Sequence, residues 1–304
     1  MTDVVTGAFS YTGRFIAARL LADGREVRTL SRHPRGPDDL DLPAAPLQFE
    51  DVAALVESLC GAETLYNTYW IRFTQRGMTF ERAVENTRVL FRAAAEAGVG
   101  RIVHVSVTKA AQDSPYPYFR GKAAVERELS VLGLPYAIVR PTLVFGPRDI
   151  LVNNIAWILR RFPLFLVPGG GEYRVQPVAV EDVAALAVEA ALSPGNPVLD
   201  AAGPDTLTFE QLVRAVRAAV GSRARIARSG VTPTLALTRL AGLFLRDIVL
   251  TRDELLGLMD SLLVTDGAPT GRARFGDWLA QNGNQLGKSY VSELARNWEG
   301  SAKH

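Results

Sequence analysis

Short apolar runs alternate with longer helical-period segments through the first half of the chain. Residues 2–6 (Thr-Asp-Val-Val-Thr) predict a buried strand. Phe15, Ile16, Leu20 and Leu21 then recur on one side of a helix over 12–22, and Gly24 stands where a helix end favours glycine. Residues 26–30 predict a second strand, the Pro-, Gly- and Asp-bearing 33–45 a loop, and 46–49 a third strand. A short helix fits 51–59, a fourth strand 64–69, and a long helix 79–97 closed by Gly98. A fifth strand fits 101–107, a helix 117–132 closed by Gly133, and a sixth strand 136–139.

Strands and helices joined by short connections are the pattern of βαβ units and a parallel sheet. Right-handed crossovers then predict an α/β fold: a doubly wound parallel Rossmann sheet whose strand ends open onto one crevice. Past Gly146 the pattern loosens. A helix near 153–161, a Gly-rich turn at 169–171 and a strand over 175–180 precede a helix over 181–192 and a run at 197–201. Another amphipathic helix fits 208–221, and the remainder reads as mostly helical. The division expected is a dinucleotide-binding domain over 1–146 and a smaller, mostly helical C-terminal substrate cap over 147–304, with 175–201 returning to the first domain.

Composition narrows the function classes. The 304 residues are 48% hydrophobic and carry a net charge of +2 from 34 basic and 32 acidic side chains, which argues against gross disorder. The basic residues form no stripe of the kind a nucleic-acid binder shows, so no nucleic-acid partner is expected. The single Cys60 rules out an internal disulfide framework and fits a reducing compartment. Three histidines and one cysteine make a zinc site unexpected. With no leader pattern and no long uncharged apolar run, the reading is a cytoplasmic protein without stable membrane insertion. Of the 34 basic residues all but Lys109, Lys122, Lys288 and Lys303 are arginine, so a motif lysine stands out.

The first strand–helix junction, Thr6-Gly7-Ala8-Phe9-Ser10-Tyr11-Thr12-Gly13-Arg14, is where a tight turn and a helix N-terminus can hold a pyrophosphate. Gly7 would make the turn and Gly13 allow close helix–strand packing, while Ser10 stands where a middle glycine is expected. An ordinary glycine turn is the plainer reading, and placement at the first junction favours the nucleotide. The spacing excludes a Walker A loop. The second strand ends Leu30-Ser31-Arg32-His33, with no carboxylate for a ribose 2′-hydroxyl. Arg32 could pair with a 2′-phosphate, so NADP(H) is favoured over NAD(H); the plainer reading is a solvated arginine.

Tyr118 and Lys122 are four residues apart and share a helix face. A phenol is a poor acid or base at neutral pH until an ammonium nearby stabilises its phenolate. The fifth strand ends His104-Val105-Ser106-Val107-Thr108, which offers hydroxyls to orient a carbonyl. His104 itself reads as a core residue.

Here the chain resembles a short-chain dehydrogenase/reductase of the extended or atypical kind. The matching segments are the modified glycine loop, Asn86 in Val-Glu-Asn-Thr-Arg-Val-Leu, Arg101-Ile-Val-His-Val-Ser, Tyr118 with Lys122, Arg140-Pro141-Thr142 with Phe145-Gly146-Pro147, and Val180-Glu181-Asp182-Val183-Ala184. The finer resemblance is to the NAD(P)H-binding group that includes NmrA-like proteins and the NDUFA-nine-type subunit of respiratory complex I. It implies that Gly7, Phe9, Ser10, Tyr11, Thr12 and Gly13 surround the pyrophosphate, with Ser31 and Arg32 toward the adenosine ribose. It places Asn67, Thr68 and Tyr69 beside the cofactor, and Pro141 and Thr142 on the nicotinamide side. Tyr118 would be the acid/base, Lys122 its partner and a ribose ligand, and Thr108 the catalytic hydroxyl, with Ser106 its nearer neighbour. Ser10 and the ten residues between Thr108 and Tyr118 depart from the extended pattern.

The reading is a reductase or epimerase acting on a carbonyl or carbinol of a mainly apolar small molecule, with Trp70, Phe145 and Trp157 as pocket walls. The alternative is an NAD(P)H-binding redox sensor or assembly partner without turnover. Arg160 and Arg161 read as a solvated helix end, or else as a grip on an anion. The apolar stretch 235–250, with Arg239 and Arg246, is expected as a lid, and a helix lying on a membrane surface is the weaker alternative.

Overall fold

The computed structural model describes residues 2–33 and 35–298. The chain opens with β1 (Thr2–Thr6), α1 (Tyr11–Ala22), β2 (Glu26–Ser31), β3 (Ala44–Pro46), α2 (Val52–Leu59), β4 (Ala62–Asn67), α3 (Phe80–Glu96), β5 (Arg101–Val105), α4 (Pro117–Val131) and β6 (Tyr136–Pro141). It continues through β7 (Leu143–Phe145), α5 (Leu151–Arg161), β8 (Leu164–Pro168), β9 (Arg174–Val175) and β10 (Pro177–Ala179) to α6 (Val180–Leu192) and β11 (Val198–Ala201). The last part holds β12 (Leu207–Thr208), α7 (Phe209–Ala219), β13 (Arg225–Ser229), α8 (Val231–Leu245), α9 (Arg252–Met259), α10 (Phe275–Asn282) and α11 (Glu293–Asn297).

Two units result, one of residues 1–141 with 180–201 and one of 142–179 with 202–304. In the first, seven strands form a parallel sheet in the order β11-β6-β5-β4-β1-β2-β3. This is the doubly wound Rossmann arrangement. The order reverses between β1 and β4, and ligand crevices of such sheets open at the carboxyl ends of the strands at that point. Val4, Leu30, Leu65, Ile102 and Ile138 from five strands join Leu90 and Phe91 of α3 and Leu129 of α4 in one core. Full burial of each such side chain contributes about 1.5–3 kcal/mol, which is why α3 holds its register. Gly24, Gly98 and Gly133 end their helices at φ of 75°, 73° and 84°, a backbone that only glycine adopts cheaply.

Three local expectations shift. The third strand is Ala44–Pro46, not 46–49, because the chain turns inward there and buries Leu47 and Phe49. The fourth begins two residues early, at Ala62 straight after the positive-φ Gly61. It ends at Asn67 because Thr68 is drawn to β1, its hydroxyl donating to the Thr6 carbonyl at 2.6 Å. The strand expected over 175–180 is split at Gln176 into β9 and β10.

The second unit is helical with three two-stranded sheets, β7–β10 and β8–β13 parallel and β9–β12 antiparallel. Its core is built around Phe145, Phe275, Leu212, Val213 and Val216. Thr208 with Gln211 and Thr251 with Glu254 form capping boxes that start α7 and α9. Among the described residues no helix is long and apolar enough to cross a membrane.

Candidate functional site

The crevice floor is a polar knot at the switch point. The Thr6 hydroxyl donates to Asn67 Oδ1 at 3.2 Å and accepts the backbone N–H groups of Thr68 and Tyr69 at 2.8 and 3.1 Å. Asn67 is fully buried, and its amide nitrogen lies 3.0 Å from His104 Nδ1. Because Asn67 Oδ1 already accepts, its NH2 is the donor, and this assigns the His104 proton to Nε2. Burial and the neighbouring Lys122 charge hold the imidazole well below its ordinary pKa, so His104 is a neutral core residue. Asn67 and Thr68 therefore spend their side chains joining β1 to β4.

The glycine loop sits above this floor. Gly7 adopts φ 68°, and its N–H donates to the Leu30 carbonyl at 2.8 Å. A Cβ on Gly13 would stand 2.4 Å from the Gly7 carbonyl oxygen, so only glycine permits α1 to approach so closely. Ser10 is the N-cap of α1, yet its side chain caps no helix amide and instead donates to the Gly7 carbonyl at 2.7 Å. The first-turn amides have no intrahelical acceptor, and a helix N-terminus of this kind suits a diphosphate. Phe9, Ser10, Tyr11 and Thr12 are half-buried along this loop, and Tyr11 packs edge-on against Phe15. Arg14 turns away to Asp39 at 2.7 Å.

At the end of β2 the Ser31 hydroxyl is consumed in a local turn, bonded to the His33 carbonyl and N–H at 2.9 and 3.0 Å. Arg32 is exposed and reaches the Tyr69 phenol. Burial raises the Tyr69 pKa, while hydrogen bonds from Asn86 and Arg32 oppose the rise. The Asn86 contact, at 2.9 Å, ties α3 to the segment after β4.

Beyond β5 and β4, two predicted residues, Lys122 and Tyr118, meet around the indole of a third, Trp70. The Lys122 ammonium is buried, donates to the Val105 carbonyl at 2.8 Å, and lies 4.7 Å from the centre of the Trp70 ring. Burial pushes Lys122 down to about 7, with the Glu126 carboxylate one turn on opposing the fall. Trp70 also meets Tyr118 edge-on, with ring centres 6.1 Å apart. Gly121 allows this: a Cβ there would sit 2.9 Å from the indole. Trp70, expected as a pocket wall, thus roofs the lysine and flanks the phenol. Glu126 is in turn bonded to Arg140 of β6, with Nε to Oε1 at 2.9 Å.

The two candidate hydroxyls diverge. Ser106 Oγ is buried with no hydrogen-bond partner among the described residues. Thr108, fully buried, turns its hydroxyl toward Asp200 of β11 at 3.4 Å, and its N–H donates to the Pro141 carbonyl at 3.0 Å. Thr142 donates to the Gln176 carbonyl at 2.5 Å inside the second unit. Phe145 does not wall a pocket. It is fully buried against Phe275 and Trp278, ring centres 5.1 and 5.3 Å away, in the core of that unit. Trp157 packs on Phe162 and Tyr290 with the Arg161 guanidinium 4.9 Å over its ring. Arg160 and Arg161 are not free to grip an anion, since their guanidinium groups bond carbonyls of the 283–288 segment.

The residues that sequence reasoning missed are the connecting ones: Thr6 as the knot, Glu126 with Arg140 behind the lysine, and Asp200 facing Thr108. Each bond joins positions far apart in the chain, or depends on a rotamer, and leaves no local signal.

A family profile described as NAD(P)H-binding matches residues 7–194. The chain is 32% identical over 263 residues to Uncharacterized protein Rv2047c of Mycobacterium tuberculosis, covering 84% of this chain and 28% of that protein. It is 28% identical over 223 residues to subunit 9 of the NADH dehydrogenase (ubiquinone) 1 alpha subcomplex, mitochondrial, of Arabidopsis thaliana, covering 68% of this chain and 55% of the relative. The chain thus spans under a third and about half of these relatives' lengths. Among solved structures, Citrobacter sp. triphenylmethane reductase complexed with NADP(H) superposes with a TM-score of 0.70 at 16% identity, over 94% of this chain and 96% of that one.

Proposed function

The chain belongs to the NAD(P)H-binding family, and from that premise we propose that it is an NADP(H)-using reductase or epimerase of the short-chain dehydrogenase/reductase kind, acting on a carbonyl or carbinol of a mainly apolar small molecule. The observation that carries this reading is the buried Lys122 ammonium held under Trp70, with Tyr118 against the same indole.

The first turn of α1 without a Ser10 side-chain cap, the positive-φ Gly7 and the Gly13 approach fit a dinucleotide diphosphate. The unpartnered Ser106 Oγ fits a ligand donor or acceptor beyond β5. When bound, the nicotinamide supplies or takes up the hydride. Lys122 is fixed by the Val105 carbonyl and lends its positive charge to the phenol side of the site. Tyr118 gives or takes the proton at the substrate oxygen, and Ser106, not Thr108, holds that oxygen in place. The indole of Trp70 and the Phe80 ring, each 6.1 Å from the Tyr118 ring, give the phenol apolar neighbours and favour an apolar substrate. Arg32, exposed at the end of β2 where no carboxylate stands, supports NADP(H).

A second reading, nucleotide binding without turnover in an assembly or sensing role, is favoured by the similarity to the Arabidopsis NADH dehydrogenase subunit. Two measurements separate the readings. Thermal unfolding with NADPH at about 100 times its dissociation constant should add roughly 2.7 kcal/mol. No gain with NADPH or NADH defeats both readings, and a gain with NADH alone removes the role of Arg32. NADPH oxidation is then followed against a panel of apolar aldehydes and ketones. Tyr118→Phe should abolish turnover and keep the NADPH-induced gain; undiminished turnover removes Tyr118 from the mechanism, and binding without turnover by the parent chain supports the second reading.

A further inference from the structure

A helix as apolar as α8 (Val-Thr-Pro-Thr-Leu-Ala-Leu-Thr-Arg-Leu-Ala-Gly-Leu-Phe-Leu) normally buries one face. Here, of its fifteen residues, only Thr234 is buried. Leu237 and Leu240 are 49% and 52% exposed, and Leu243 and Phe244 are 78% and 83% exposed. Their spacing is that of one helix face: Leu237, Leu240 and Phe244 follow one another at three and four residues.

Charge on the same element points to what covers that face. Arg239 precedes Leu243 by four residues and Arg246 follows it by three, so the two guanidinium groups flank the apolar stripe. Among the described residues neither is paired with a carboxylate. From Gln211 to Arg246 the chain carries seven arginines and no acidic residue. Two of the seven, Arg214 and Arg228, share Glu210. Asp247, the first acid after the helix, is turned inward, accepting from the Tyr290 hydroxyl at 2.6 Å and from the N–H groups of Glu293 and Leu294 at 3.0 Å each. The neighbouring β8–β13 ribbon, in the same unit, adds Leu164, 45% exposed, in register with the exposed Arg225.

We propose that α8 docks on an anionic phospholipid surface. Leu237, Leu240, Leu243 and Phe244 enter the headgroup–acyl boundary while Arg239 and Arg246 meet lipid phosphates. An apolar stripe edged by arginine and free of acids matches such a surface in both hydrophobicity and charge. A fifteen-residue helix half-buried on one side, with Leu237, Leu240, Leu243 and Phe244 exposed on another, lies in the interface plane and does not span it. The proposal stands apart from the nucleotide site and holds for either reading of it.

The full chain is sedimented with vesicles of equal parts phosphatidylcholine and phosphatidylglycerol, and with vesicles of phosphatidylcholine alone. Binding to the mixed vesicles should exceed binding to the neutral ones by roughly tenfold and fall as salt is raised. The double variant Leu243→Glu, Phe244→Glu should lose binding with its thermal midpoint unchanged, because both side chains are exposed. Arg239→Glu should weaken it severalfold, and Phe244→Trp should retain it. Failure of the parent chain to sediment with mixed vesicles overturns the proposal. So does equal binding by the double glutamate variant. A parent chain that is dimeric in solution, made monomeric by the same variant and indifferent to vesicles, also overturns it and assigns the face to a second copy.

Discussion

Replacing Lys122 with methionine tests the centre of the candidate site without any substrate in hand. Burial carries this ammonium from its ordinary 10.5 down to about 7. In the unfolded chain the ordinary value returns. Between those two pH values the unfolded chain holds a proton that the folded chain has released, so wild-type stability rises with pH across the window. The full gap corresponds to about 5 kcal/mol, present below the folded value and lost on approaching the unfolded one. The Val105 carbonyl at 2.8 Å and the indole face at 4.7 Å favour the cation and return part of that cost. Methionine keeps the length and the contact with Trp70 while removing the charge. Lys122→Met should therefore be more stable than the parent at about pH 6, with the advantage shrinking by roughly 2 kcal/mol at about pH 9. Urea unfolding at several pH values, with unchanged slope, reads the difference directly. A pH-independent gap, or a parent that is the more stable at the acid end, would refute the argument that burial dominates at Lys122.

Gly13→Ala places a Cβ 2.4 Å from one carbonyl oxygen and 2.8 Å from another, both backbone, so a loss of about 1–3 kcal/mol is expected, together with the NADPH-induced gain in thermal stability. Ser106→Ala removes a buried hydroxyl that has no protein partner, so folding should be unaffected within about 0.5 kcal/mol while kcat falls; Thr108→Ala should cost about 1 kcal/mol in urea unfolding and leave kcat nearly intact. Glu126→Gln removes the carboxylate that supports both Lys122 and Arg140, and the pH midpoint of the Lys122 stability effect should move lower still; an unmoved midpoint would count against the coupling.

The sheet was readable because its signals are local. Apolar runs such as Val4-Val5 and Ile102-Val103, followed by helices that stop at Gly24, Gly98 and Gly133, carry periodicity and punctuation within a few residues. The glycine loop was readable for the same reason. The β8–β13 ribbon was not, because Arg225-Ile-Ala-Arg-Ser lacks the alternation of a half-buried strand and gains its partner only from a segment sixty residues earlier. The sequence favoured Thr108 over Ser106 as the catalytic hydroxyl; what turns Thr108 aside is Asp200, which β11 brings alongside from ninety-two residues away. Phe145 shows the same limit, since nothing in its neighbourhood announces Phe275 and Trp278.

The knot at Thr6 has a kinetic consequence. One hydroxyl holds the amides of Thr68 and Tyr69, while the Thr68 hydroxyl returns to the Thr6 carbonyl, so the ends of the two strands at the switch point are locked before any nucleotide arrives. An incoming diphosphate then meets a rigid cradle and spends little of its binding free energy on arranging it. Association should accordingly follow a single exponential whose rate climbs linearly with nucleotide concentration, with no slow conformational plateau.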